Sequence, residues 1–204
     1  GDVYSGQQTN ISINTEVVIK IARSSAEAIA LKHKYWILQH LSGIHGIPKA
    51  LWLGQESEYH VIVLKCLGPS LEDHFKACGQ MFSLNTVMLI AVQLLSHLQN
   101  IHSSHYIHHD IKPANILTHL KDSLNMLYLA DFGITKQYCH PNTHIHIPFN
   151  VEIPLTDTLV FASLNSHMGR ELSQHDTVPA PSMGTASPSF ISKLTIGLNP
   201  LTAS

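Results

Sequence analysis

The chain of 204 residues has little charge, little cysteine and no long apolar run. Charged residues make up 13% of it, whereas roughly 25% is typical of globular domains. Because 12 Lys and Arg face 14 Asp and Glu, a protein that holds nucleic acid by a basic surface is excluded. The three cysteines have no paired spacing, which favours a reducing cytoplasmic or nuclear compartment over a disulfide scaffold. No apolar run is long enough to span a membrane.

What is present begins with strand patterns around one helix. Residues 16–21 form a short β-branched run, and residues 4–15 predict a hairpin that leads into it. Ser24 or Ser25 is placed to cap a helix that ends near Leu41. Two further strands are predicted over residues 50–53 and 59–64. The first third of the chain is therefore expected to be strand-rich.

Helical patterns follow residue 70. Ser70 is placed to cap a short helix that ends near Cys78. A helix of about five turns, capped by Ser83, is predicted by apolar residues at steps of three and four: Leu84, Val87, Met88, Ala91, Leu94, Leu95, Leu98 and Ile101. His97 in this helix is interpreted as a surface residue. Two short strands are expected over residues 116–117 and 126–130, and mostly loop over residues 131–169.

Three short motifs then occur in a meaningful order. Lys20 ends an apolar strand, residues 107–115 read IHHDIKPAN, and a later strand is followed by Asp131, Phe132 and Gly133. Each motif alone is weak, because a lysine at a strand end or such a tripeptide arises often by chance. Together, in this order and spacing, they match the signature set of protein kinases.

The chemistry of phosphoryl transfer explains why these residue types are needed. The reaction depends on positioning and on neutralising phosphate charge. Lys20 would hold the α- and β-phosphates of ATP, Asp110 would accept the proton of the substrate hydroxyl, and Lys112 would reach the γ-phosphate. Asn115 and Asp131 would hold Mg²⁺ through hard oxygen ligands.

Several segments resemble the casein kinase 1 family specifically: residues 67–73, 106–108, 110–113, 143–148 and 162–167. The resemblance implies an α+β, bilobal kinase fold with an antiparallel sheet and one helix in the N-lobe and a helical C-lobe. It also implies ATP-dependent phosphorylation of Ser or Thr in protein substrates, often acidic ones. By the same resemblance Leu64 is the gatekeeper, the adenine-binding hinge contains Cys66 and Leu67, and the adenine ring lies between Val3, Val18 and Leu117.

The resemblance also sets the expected domain boundaries. Residues 1–67 would be the N-lobe, with Gly1 at the last glycine of a truncated Gly-rich loop. Residues 68–176 would be a partial C-lobe that ends before the long αF helix, and residues 177–204 a low-complexity, disordered tail. Without αF the long apolar helix lacks its packing partner, so we expect a partner protein to cover that face.

Departures from the family pattern support an alternative function. Counted back from residues 46–48, Lys34 takes the place of the glutamate that pairs with Lys20, so two ammonium groups would repel each other. His109 stands where the family has arginine. The alternative to an active Ser/Thr kinase is therefore a catalytically impaired pseudokinase, an ATP-binding or interaction module, or a decayed gene fragment.

The histidine content suggests a different chemistry, a metal site. The 16 histidines outnumber the lysines and arginines together. Two clusters have ligand-like spacing: His105, His108, His109 with Asp110, and His140, His144, His146. Because His108, His144 and His146 fit positions at which the casein kinase 1 pattern itself has histidine, we favour the kinase interpretation.

Overall fold

A computed structural model describes residues 2–10, 13–120, 123–143, 145 and 147. A four-stranded antiparallel sheet contains β1 (Asp2–Asn10), β2 (Ile13–Ala22), β3 (Ala50–Glu56) and β4 (Tyr59–Lys65), in the order β1-β2-β4-β3. The predicted hairpin and strands are thus confirmed. β2 lies inside the sheet, as its run of β-branched residues requires.

One helix, α1 (Ser25–His40), accompanies this sheet. Ser24 is its N-cap, and Ser24 and Glu27 form a reciprocal capping box that satisfies the first backbone N–H groups. The buried side of α1 is apolar apart from one lysine: Ala28, Leu31, Lys34, Ile37 and Leu38. This side packs on β2, β3 and β4 and also on residues 132–134, so α1 connects the sheet to the second half of the structure.

Two more helices follow, α2 (Leu71–Ala77) and α3 (Leu84–Ser103), capped by Ser70 and Ser83 as predicted. The buried side of α3 consists of Val87, Ile90, Leu94, His97, Leu98 and Ile101. The expectation that His97 lies at the surface is wrong, since only 3% of this residue is exposed. His97 lies three residues after Leu94 and four before Ile101, so it shares their buried helix face. The helical repeat therefore buries it in spite of its polarity.

The apolar stripe predicted for α3 is wider than the face that the described residues cover. Leu84, Met88 and Leu95 belong to the stripe, yet the described residues leave them exposed. Residues 144, 146 and 148–204 lie outside the described residues. The expectations for the end of the partial C-lobe and for the tail therefore concern residues beyond those described, and the covering partner for the α3 face stays a prediction.

Short strands and turns complete the described fold. β5 (Tyr106–Ile107) pairs with β8 (Lys136–Gln137), and β6 (Ile116–His119) pairs with β7 (Ser123–Leu129). One-turn 3₁₀ helices occupy Pro113–Asn115 and Phe132–Ile134. These elements frame the loop of residues 108–112, and the predicted α+β class is confirmed. Within the described ranges no helix has both the length and the hydropathy to cross a membrane.

Candidate functional site

β2 and its neighbours place the first group of predicted site residues. Val3 of β1 lies opposite Lys20 of β2, and Val18 lies opposite Leu64 of β4. Residues two apart on a strand share a face, and so do directly paired residues. Val18, Lys20 and Leu64 therefore point to one side of the sheet, the side that also carries the buried Ile62.

The segment after β4 is fastened to both halves of the structure. The Cys66 N–H donates to the Glu16 carbonyl at 3.0 Å, and the Gly68 N–H donates to the Thr118 carbonyl at 2.8 Å. A Cβ on Gly68 would lie 2.5 Å from the His119 carbonyl oxygen, so only glycine permits this approach. Leu117 is bridged to Ser70 beside this segment. Backbone hydrogen bonds thus hold the predicted hinge segment next to the strand that contains Leu117.

Three predicted catalytic residues come together in the loop after β5. Asp110 Oδ2 lies 2.9 Å from Lys112 Nζ and 2.7 Å from Asn115 Nδ2. Asn115 Nδ2 also donates to the Asp110 carbonyl at 2.8 Å, and the residue is buried. Asn115 therefore fixes both the backbone and the carboxylate of Asp110, because its amide bridges the two.

His108 anchors this loop from below. Its ring is fully buried and packs edge-on against Phe132, with ring centroids 4.7 Å apart. The Asp110 N–H donates to Nδ1 at 3.2 Å, so Nδ1 is the acceptor and Nε2 carries the proton that bonds the Ala130 carbonyl at 2.9 Å. Burial lowers the pKa of His108 to about 4. The neutral ring thus links the loop that contains Asp110 to Ala130, directly after β7.

Asp131 follows β7 in a left-handed backbone conformation, with φ of 62° and ψ of 69°. Such a conformation costs a non-glycine residue free energy and often marks a functional position. Phe132 is fully buried beneath it, and the Ala130 N–H donates to the Asn115 carbonyl at 2.7 Å. These contacts place Asp131 next to the segment that contains Asp110 and Asn115.

The main feature that the sequence did not predict is an ion pair between α1 and Asp131. Lys34 Nζ lies 2.9 Å from Asp131 Oδ1, and the two side chains are 8% and 45% exposed. From the same helix, His33 Nε2 lies 2.7 Å from the Thr135 carbonyl oxygen. The sequence predicted only repulsion between Lys34 and Lys20, because a pair separated by 97 residues leaves no local pattern.

Lys20 completes this charged group. Burial lowers the pKa of Lys34, the nearby charge of Lys20 lowers it further, and Asp131 opposes both effects. Partial burial alone would raise the pKa of Asp131, but the charges of Lys34 and Lys20 lower it overall. The charges of Lys20 and Lys34 are thus near enough to repel each other, as predicted, and the Asp131 carboxylate offsets both.

The donor set does not fit a divalent cation well. Of the two predicted metal ligands, Asp131 already pairs its Oδ1 with an ammonium group. Asn115 bonds Asp110 through its amide nitrogen, which is not the atom that would ligate a metal. Lys20, Lys34 and Lys112 balance against Asp110 and Asp131, which leaves one net positive charge at the site. A cation of charge +2 is therefore opposed here, whereas an anion is favoured.

The alternative histidine sites differ in what the structure describes. Both ring nitrogens of His108 form hydrogen bonds with backbone groups. No group of three or more His, Cys, Asp or Glu that could hold a metal ion occurs in the described part of the chain. His144 and His146 lie outside the described residues, so the second cluster stays a hypothesis.

A comparison with protein-family models adds independent information on this arrangement. The model described as "Protein kinase domain" matches residues 1–152, which is most of the chain. The match spans the sheet, α1, the loop of residues 108–115 and the strand that delivers Asp131.

Proposed function

Because the chain belongs to the protein kinase family, we propose that it binds ATP and transfers the γ-phosphate to Ser or Thr hydroxyls of proteins. Its fold is the α+β kinase fold, with an antiparallel N-lobe sheet and accompanying helices. We further propose membership of the casein kinase 1 group, on the resemblance of residues 67–73 and 110–113 to that family. We propose a division into an N-lobe up to Leu67 and a C-lobe from Gly68.

The observation that carries this proposal is the assembled catalytic loop. Asn115 and Lys112 both contact Oδ2 of Asp110. The other oxygen, Oδ1, is then the one to accept the proton of a substrate hydroxyl. General-base catalysis needs a carboxylate held within hydrogen-bond reach of that proton, and Asn115 restricts Asp110 to one orientation.

Each remaining residue of the site has a role toward the nucleotide. Lys20 and Lys112 place ammonium groups beside the phosphates. These positive charges stabilise the negative charge on the phosphate oxygens as the bond to the γ-phosphorus breaks. Val18, Leu64 and Leu117 are half-buried or buried and offer apolar surface to the adenine ring. Val3 is proposed to act with them, and its position on β1 is opposite Lys20. Cys66 and Leu67 contribute backbone groups, and the Leu67 N–H has no hydrogen-bond partner in the described part of the chain. Protein kinase domains generally use ATP with Mg²⁺.

A second candidate function rests on the Lys34–Asp131 ion pair. In this candidate the site binds ATP without transferring phosphate, as a pseudokinase. The pair supports it because the carboxylate best placed for a metal ion is already neutralised by a buried ammonium. The two candidates share nucleotide binding and differ only in catalysis.

Phosphate transfer to a peptide tests the first candidate. Purified chain, radiolabelled ATP and an acidic Ser-containing peptide should give labelled peptide, and its Ser→Ala analogue should give none. The Asp110→Asn variant should lose transfer by about a hundredfold or more, since the general base is removed. Its thermal stabilisation by ATP should persist. Stabilisation without transfer in the wild-type chain would favour the pseudokinase, and absence of both would contradict the proposal.

A further inference from the structure

The buried face of α1 contains a charge with an unusual position. Lys34 lies between Leu31 and Ile37 on the face that packs against the rest of the structure. Lysine is rarely buried unless it is paired. Here its partner is the Asp131 carboxylate at 2.9 Å, and that side chain is 45% exposed. The pair thus joins the core to a carboxylate that solvent and ligands can reach.

The same ammonium lies beside a second one. Lys20 is near enough for its charge to affect Lys34, although the two come from β2 and α1. The Asp131 carboxylate is therefore paired with Lys34 and also feels the charge of Lys20. The arrangement carries a net charge of +1, and an incoming polyphosphate is the kind of ligand that completes its charge balance.

A divalent cation and Lys34 compete for the charge of the Asp131 carboxylate. A metal ion there needs a carboxylate oxygen at about 2.0–2.1 Å, and it would lie beside the ammonium of Lys34, from which Oδ1 already accepts. Displacing the lysine would leave a buried ammonium next to Lys20 without its counter-charge, which is costly. The site therefore favours the lysine over the metal.

We propose that Lys34 takes the place of a divalent cation, so that this site binds the polyphosphate of a nucleoside triphosphate between Lys20 and Lys34 without Mg²⁺. The proposal rests on nucleotide binding as given under Proposed function. It is specific to this chain's own residues, because it depends on the contact between Lys34 and Asp131. Lys34 acts as a binding and positioning residue.

Calorimetric titration with ATP in EDTA and in excess Mg²⁺ tests this proposal. The wild-type chain should bind with dissociation constants that agree within about threefold in the two conditions. Binding that is about tenfold or more weaker in EDTA would overturn it. If ATP binds in neither condition, nucleotide binding itself is refuted, which is a distinguishable result.

Charge variants of α1 sharpen the test. Lys34→Glu places a carboxylate beside Lys20 and releases Asp131, so affinity in EDTA should fall about tenfold or more while binding in Mg²⁺ persists. Lys32→Glu is the matched control, because it makes the same charge change at an exposed position of the same helix and should behave as wild type. A Lys34→Glu chain that binds equally in both conditions would overturn the proposal.

Lys34→Met covers the case in which Lys34→Glu does not fold. Methionine keeps the length and apolar stem of lysine and removes only its charge. This variant should also become dependent on Mg²⁺, since Asp131 then lacks its ammonium. Independence from Mg²⁺ in Lys34→Met would contradict the role of the Lys34 charge. If neither variant folds, the wild-type titration in EDTA decides alone.

Discussion

Replacement of Gly46 by alanine is expected to destabilise the fold far more than the same change at Gly43. Gly46 has φ of +79°, and a Cβ there would lie 2.1 Å from Nε2 of the buried His97 ring. Its carbonyl accepts from the Leu129 N–H at 2.9 Å, in the strand that leads to Asp131. Gly46 therefore links the loop after α1 to β7, the strand that precedes Asp131.

The magnitude follows from two separate costs. A left-handed conformation costs a non-glycine residue about 1–2 kcal/mol, and forcing extra volume against a packed ring adds about 1–3 kcal/mol. Gly46→Ala should thus lower the free energy of unfolding by about 2–5 kcal/mol. Gly43 has φ of +87° with nothing within 4 Å of an added Cβ, so Gly43→Ala carries only the first cost, about 1–2 kcal/mol.

Urea denaturation followed by circular dichroism measures both variants. A double variant, Gly46→Ala with His97→Ala, should be less destabilised than the sum of its single changes, because removing the ring removes the clash. Equal losses for Gly43→Ala and Gly46→Ala would refute the packing of His97 beneath Gly46. Strict additivity in the double variant would refute it as well.

Three further predictions concern stability. Burial lowers the pKa values of His97 and His108 to about 4 from an ordinary 6.5, so the unfolded chain binds more protons between these values. The free energy of unfolding should be constant above pH 6.5 and should fall toward pH 4, by up to about 3 kcal/mol for each ring. A urea midpoint that does not change over this pH range would contradict the prediction. Gly68→Ala should displace the hinge segment and lower both the urea midpoint and the affinity for ATP, because the added Cβ would meet the carbonyl of His119. An unchanged midpoint together with an unchanged affinity would argue against this contact. Ser24→Ala should cost about 1 kcal/mol through loss of the capping box, whereas Ser24→Gly should cost only a few tenths; equal losses would speak against capping by the hydroxyl.

Local sequence patterns were sufficient for most of the described elements. Ser70 and Ser83 cap two helices as predicted, and Ser24 is the one of two predicted candidates that caps α1. Capping could be predicted because it depends on residues only three positions apart. The contacts among the predicted catalytic residues are also short-range, since Asp110, Lys112 and Asn115 lie within six residues.

Long-range contacts account for what the sequence did not provide. His97 was expected at the surface from its polarity, but helical phase and the space beneath Gly46 bury it. Lys34 was expected to meet only Lys20, and its pairing with Asp131 depends on α1 packing against the turn after β7. Such partners are set by tertiary packing rather than by spacing along the chain.

Binding of ATP to the wild-type chain and to Lys20→Met tests the central claim most directly, namely that the charged group around Lys20, Lys34 and Asp131 is a nucleotide site. Calorimetry should show saturable binding to the wild type and affinity lower by about tenfold or more in Lys20→Met. Wild-type chain that is folded by circular dichroism but does not bind ATP would contradict the account, and so would equal affinity in the two proteins.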